Sequence, residues 1–177
     1  MRSASVADIW ETIALEAERE SALWGAARRS DPERAAVFSP LAERRYALGL
    51  ETIYEGFLLH YGRPRLFAPD SSETALLLGD YLYAHGLVRV AECQNVVAVA
   101  DLAELISLCA QLRADSAGGD GAAWAATAAL LGAGALEEAR EALRLEGDAG
   151  PLEDAARAAA GAEAVERALA AHAVRVG

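Results

Sequence analysis

Glu51 and Glu55 stand four residues apart, the interval that sets two carboxylates on one helix face where they could share a divalent cation. With Asp80 and His85 joining them, the four would make a metal-dependent enzyme. The plainer reading of the same residues is a solvated acidic stripe for the glutamates and a buried, hydrogen-bonded carboxylate for Asp80, and it is preferred here. His60 has the chemistry of a general base, yet no nucleophile or carboxylate partner stands near it in sequence, which favours a satisfied core histidine. Arg63 and Arg65 flank Pro64 and form the basic concentration of this region. They could clamp a carboxylate or diphosphate bidentately, or pair with surface glutamates and the last carbonyls of the preceding helix. Tyr54, Tyr61, Tyr81 and Tyr83 could line an apolar tunnel with a polar rim, although aromatics at helical spacing more commonly form core. The candidate ligand-binding residues are therefore Arg63, Arg65, His60, Tyr81 and Asp80; no catalytic residue, metal ligand or cofactor is assigned.

Other chemistries are excluded. All 16 basic residues are arginine, so lysine-dependent chemistry is absent. Cys93 and Cys109 lack the paired spacing of a zinc ribbon or a thiol oxidoreductase and are too few for a disulfide framework, which points to a reducing, cytoplasmic compartment. The Gly118–Gly121 turn lacks the Lys-Ser/Thr ending of a P-loop and reads as a flexible connection. A formal net charge of −11 over 177 residues disfavours a polyphosphate partner. Asp8 precedes any apolar run, so no secretory signal is expected, and the most apolar stretch, 96–112, carries Asp101 and Glu104 and is too short to span a bilayer.

The elements that must hold these residues read as helices throughout. Val6, Ile9, Trp10, Ile13 and Ala17 predict an amphipathic helix over 5–29, which Asp31-Pro32 and Ser39-Pro40 separate from the next. The second runs from near Leu41 to Tyr61 and ends at Gly62 and Pro64. Asp70 and Glu73 have the form of a capping box that starts a third helix near Ser71, apolar on nearly every side to Ala91. A fourth follows over 96–112; its β-branched valines permit a strand, but no partner strand is present. Alanine-rich helices over 122–132, 135–146 and 152–174 complete an all-α bundle of about seven, in one domain spanning 1–177, with the late helices expected to contribute less apolar burial.

Two blocks carry a resemblance. Leu50-Glu51-Thr52-Ile53-Tyr54-Glu55-Gly56-Phe57-Leu58-Leu59-His60 resembles the helix that leads into the first aspartate-rich motif of trans-polyprenyl diphosphate synthases, and Leu76-Leu77-Leu78-Gly79-Asp80-Tyr81-Leu82-Tyr83-Ala84 resembles that family's next helix. The likeness covers 42–113, in the family's order and separation, and extends faintly over 121–134. It implies an isoprenoid-synthase-like but truncated bundle with a family-like core over 42–113 and alanine-rich helices over 121–177.

The departures from the family are equally specific. Where its enzymes follow the histidine with the aspartates that hold magnesium against a diphosphate, this chain has Tyr61, Gly62, Arg63, Pro64 and Arg65, and no paired-Asp cluster follows Asp120. A hard cation needs oxygen ligands, and without metal the ionisation of an allylic diphosphate loses its main electrostatic support. The resemblance thus implies a non-catalytic relative, a structural or regulatory subunit beside a complete polyprenyl diphosphate synthase, or a self-associating homodimer. A small-molecule module holding an isoprenoid or lipid is the alternative. Neither nucleic acid nor a transmembrane segment is expected.

Overall fold

The computed structural model describes residues 8–176 and is helical throughout, its one β-type pairing being an isolated bridge between Arg28 and Phe67. Nine α-helices are present among the described residues: α1 (Ile9–Glu20), α2 (Ala22–Ala26), α3 (Ala47–Tyr61), α4 (Ser72–Ala91), α5 (Val96–Ala114), α6 (Asp120–Ala129), α7 (Glu137–Glu146), α8 (Gly150–Ala160) and α9 (Ala162–Val176). Short 3₁₀ turns at Ser39–Leu41 and Arg44–Tyr46 lead into α3. None of the described helices is long and apolar enough to cross a membrane.

The difference from about seven helices has two local causes. Ser21 adopts an extended conformation (φ −149°, ψ 129°) and its hydroxyl accepts from the Leu23 amide, so one serine ends α1 and caps α2. Gly161, at φ +87°, divides the expected 152–174 helix into α8 and α9, because a left-handed residue cannot continue an α-helix. The expected start of the first helix at Ser5 lies outside the described residues. At α4 the cap is Ser71, which accepts from the Thr74 amide, in place of Asp70. Asn95 caps α5 by accepting from both Val97 and Ala98, which settles its valine-rich start as helix.

α3 runs through the middle, with every residue from Gly49 to Leu59 buried. Its closest neighbour is α4, and glycines at seven-residue intervals let the two backbones approach. A Cβ on Gly86 would meet the Ile53 side chain and stand 3.0 Å from the Gly49 carbonyl; one on Gly56 would stand 2.9 Å from the Gly79 carbonyl. The antiparallel pairs are therefore Gly49 with Gly86 and Gly56 with Gly79.

The alanine-rich half, expected to bury less apolar area per residue, nevertheless contains an enclosed helix, α6. Asp120 to Ala128 are all buried, and α6 packs against α5, α8 and α9 with Trp124 stacked on Phe38 at 5.5 Å. Small side chains let four helices converge there, so α6 is core although its residues are individually modest in volume.

The apolar interior falls into two clusters. The larger joins α3, α5, α6, α8 and α9, and the smaller joins Trp10, Ile13 and Ala17 of α1 to Leu59, Leu66, Phe67, Leu78 and Leu82.

Candidate functional site

The chain leaves α3 at Gly62, turns at Pro64, and sends Arg65 back inward to the seam between the two clusters. Its guanidinium lies 4.8 Å from the Trp10 ring on the smaller cluster and 4.9 Å from the Tyr54 ring on the larger. Arg65 donates through Nε to Glu55 Oε2 (3.0 Å) and through Nη1 to Glu51 Oε2 (2.6 Å) and the Ala35 carbonyl (2.8 Å). The two remaining carboxylate oxygens are also engaged: Glu51 Oε1 accepts from the Ser39 amide (3.2 Å) and Glu55 Oε1 from the Leu66 amide (2.7 Å).

The side chains of Glu51, Glu55 and Arg65 are at most 1% exposed. The glutamates are thus no solvated stripe, and Arg65 is enclosed rather than presented to a ligand. Burial alone would lower the Arg65 pKa, but the facing Glu51 and Glu55 raise it above the ordinary arginine value, so the cation persists at any pH the fold survives.

A second polar chain adjoins the first through Tyr54. Its hydroxyl lies 2.9 Å from His172 Nδ1 on α9, His172 Nε2 faces Asp120 Oδ2 at 3.5 Å, and Asp120 is paired with Arg113 of α5. Phe38, Phe57 and Trp124 surround the His172 ring and Tyr54, and burial pushes the Tyr54 phenol well above its usual pKa. Burial also favours the protonated form of Asp120, but hydrogen bonds and charge from His172 and Arg113 outweigh it and hold its pKa to about 2. Because the folded value lies below the usual aspartate value, this carboxylate contributes stability above about pH 4 that is lost as pH falls through about 2. Asp120→Asn is accordingly expected to lower stability at pH 7 by about 2 kcal/mol and to narrow that gap towards pH 2, as read by urea unfolding at both pH values.

The remaining sequence candidates lie apart. His60 stacks on Tyr83 at 5.0 Å with Nε2 3.2 Å from Asp80 Oδ1; burial lowers its pKa against the pull of Asp80. Asp80 itself is 65% exposed and is not the buried carboxylate expected. Tyr81 stacks between Trp24 (4.3 Å) and His85 (5.2 Å), while Glu16 of α1 takes both His85 (2.7 Å) and Arg89. Arg63 is exposed and donates to the Val174 carbonyl at the end of α9. It lines a shallow cleft of about 300 Å³ with Arg29, Asp31, Glu33, Pro64 and Arg175.

Glu51, Glu55, Asp80 and His85 therefore do not converge, and among the described residues no three His, Cys, Asp or Glu side chains are grouped to hold a cation. The residues of the Tyr61–Arg65 bend do not suit the magnesium that the resemblance implies: a phenol, a proline ring and two guanidinium groups offer it no carboxylate. Burial raises the Cys109 thiol pKa, which keeps it protonated and unreactive.

The Tyr54–His172–Asp120–Arg113 chain was not foreseen from sequence. Tyr54 and His172 are 118 positions apart, so no local spacing signals the contact. The one available sign was His172 itself, a histidine on the apolar side of an alanine-rich helix. Comparisons with protein-family models, with curated proteins and with solved structures find no match for this chain.

Proposed function

We propose that this protein is a non-catalytic relative of the trans-polyprenyl diphosphate synthases that acts as a structural or regulatory subunit beside a complete synthase. The observation that carries the reading is the Glu51–Arg65–Glu55 cluster. The acidic pair on the family-like helix has all four oxygens engaged inside the fold, and the segment after that helix returns a guanidinium to them. An acidic pair so engaged serves to anchor the bend, and a helix anchored this way is a rigid element on which a partner can assemble. Affinity purification from the native host tests the reading: a stoichiometric prenyl diphosphate synthase is expected with the protein, and recovery as a lone monomer contradicts it.

A second reading, a module that binds an isoprenoid or other lipid, draws on the cleft at Arg63, whose arginines could receive an anionic head group. Native mass spectrometry of the purified protein discriminates, since this reading requires a co-purifying ligand and the first does not.

A further inference from the structure

The outer surface of α4 and α5 carries exposed large apolar side chains, Leu76, Leu77 and Val88 on α4 and Val96 and Val97 on α5, in a chain of net charge −11. Leu77, Ala84 and Val88 follow one another along the exposed side of α4, and Val96, Ala103 and Ala110 along the exposed side of α5. Leu77 is 57%, Val88 55% and Val96 82% exposed. The helices are joined by a short connection at 92–95 and pack against each other, each carrying its stripe on its exposed side. Helices of 20 and 19 residues at 1.5 Å per residue give a face roughly 30 Å by 20 Å, about 600 Å² before side-chain relief. That approaches the ~800 Å² that each partner contributes to a stable protein interface.

The charges around this face select its occupant. Glu73, Asp80 and Glu92 are exposed on α4 and the connection, and Glu104, on the far edge of α5, is paired with Arg144 of α7. The two arginines of these helices are turned away: Arg89 is held by Glu16 and Thr52, and Arg113 by Asp120. Every exposed charge of the face is therefore acidic. A second copy would set acid against acid, and an anionic lipid surface would be repelled.

We infer that the α4–α5 face is the docking surface for a helix of a different protein, apolar along one side and carrying arginine or lysine along its edges. Such a helix would lie over the two stripes with its apolar side buried and its basic edges against Glu73, Asp80 and Glu92. This deepens the reading of the chain as a subunit by stating what the partner must present.

The test uses a displayed library of 20-residue helical peptides with leucine fixed at heptad positions and flanking positions randomised among Lys, Arg, Glu, Gln and Ser. It is selected against the wild-type protein and, separately, against Val88→Asp and Val96→Asp. Both positions are exposed, and retention of the fold in the variants is confirmed by circular dichroism and thermal unfolding. Enriched peptides are expected to carry basic flanks and to bind either variant at least tenfold more weakly than wild type.

No enrichment, flanks without basic excess, or binding indifferent to both substitutions overturns the inference. So does a wild-type dimer in sedimentation that Val96→Asp dissociates, which assigns the face to a second copy. The outcome is separable from that of the earlier reading: peptide binding here with no co-purifying synthase sinks only the synthase partnership, and a co-purifying synthase with no peptide enrichment sinks only the docking face.

Discussion

Arg65→Met is expected to destabilise the protein by about 3–5 kcal/mol, because it leaves Glu51 and Glu55 buried with no cation between them. At about 2–4 °C per kcal/mol for a chain of this size, the midpoint of thermal unfolding falls by roughly 6–20 °C. The loss comes from uncompensated charge more than from lost packing, since methionine keeps most of the side-chain volume although the guanidinium's contacts with the Trp10 and Tyr54 rings go with the charge. The triple variant Glu51→Gln, Glu55→Gln, Arg65→Met removes all three charges and keeps carbonyl oxygens that can accept from the Ser39 and Leu66 amides. It is expected to be more stable than the single variant by about 2 kcal/mol or more. Equal instability of the two in urea unfolding would show that the arginine acts through shape alone.

Gly86→Val carries the second large effect, a loss of about 3 kcal/mol, at the upper end of what overpacking costs. The new branches enter the space of Ile53 and come within reach of the Gly49 carbonyl, and a backbone carbonyl held in the first turn of α3 has no rotamer to change. Relief requires α4 to move off α3, which also draws Arg89 away from Thr52. Ala84→Val, on the opposite and exposed side of the same helix, serves as the control and is expected to change stability by no more than about 0.5 kcal/mol. Chemical denaturation of the two variants reads the difference, and a Gly86→Val protein as stable as the control would mean that the helices are not in close contact there.

The sequence made the helices legible where apolar periodicity met a clear stop. α4 and α5 run as their patterns predict, and α3 ends at Gly62 as expected. The breaks at Ser21 and Gly161 were hidden because neither interrupts the apolar spacing; one is a matter of a serine side chain taking over a cap and the other of backbone handedness. The central place of α6 is not legible in its small residues, because residue size is a poor guide to burial where four helices meet.

The glutamates of α3 were the more instructive error. Leu50, Ile53, Tyr54, Phe57 and Leu58 form one face, and Leu48 and Leu59 lie on the far side of Glu51 and Glu55, so the glutamates stand between two apolar stripes and have no solvent side to face. A helix that is apolar nearly all round buries whatever else it carries, and two buried carboxylates require a cation. Arg65 was the basic residue in view, but Pro64 makes the path of the next segment a tertiary matter that spacing does not encode. The sequence offers His60 no carboxylate partner because Asp80 reaches it from the neighbouring helix α4, 3.2 Å from its Nε2, and Tyr81 belongs to the contact with α2.

The acidic pair of α3 serves the fold, its four oxygens engaged by Arg65 and the Ser39 and Leu66 amides. Incubating the purified protein with magnesium, an allylic diphosphate and isopentenyl diphosphate, and analysing the products by mass spectrometry, tests this role most directly. The account predicts no elongated prenyl diphosphate above a protein-free control; elongation dependent on both magnesium and the protein would contradict it.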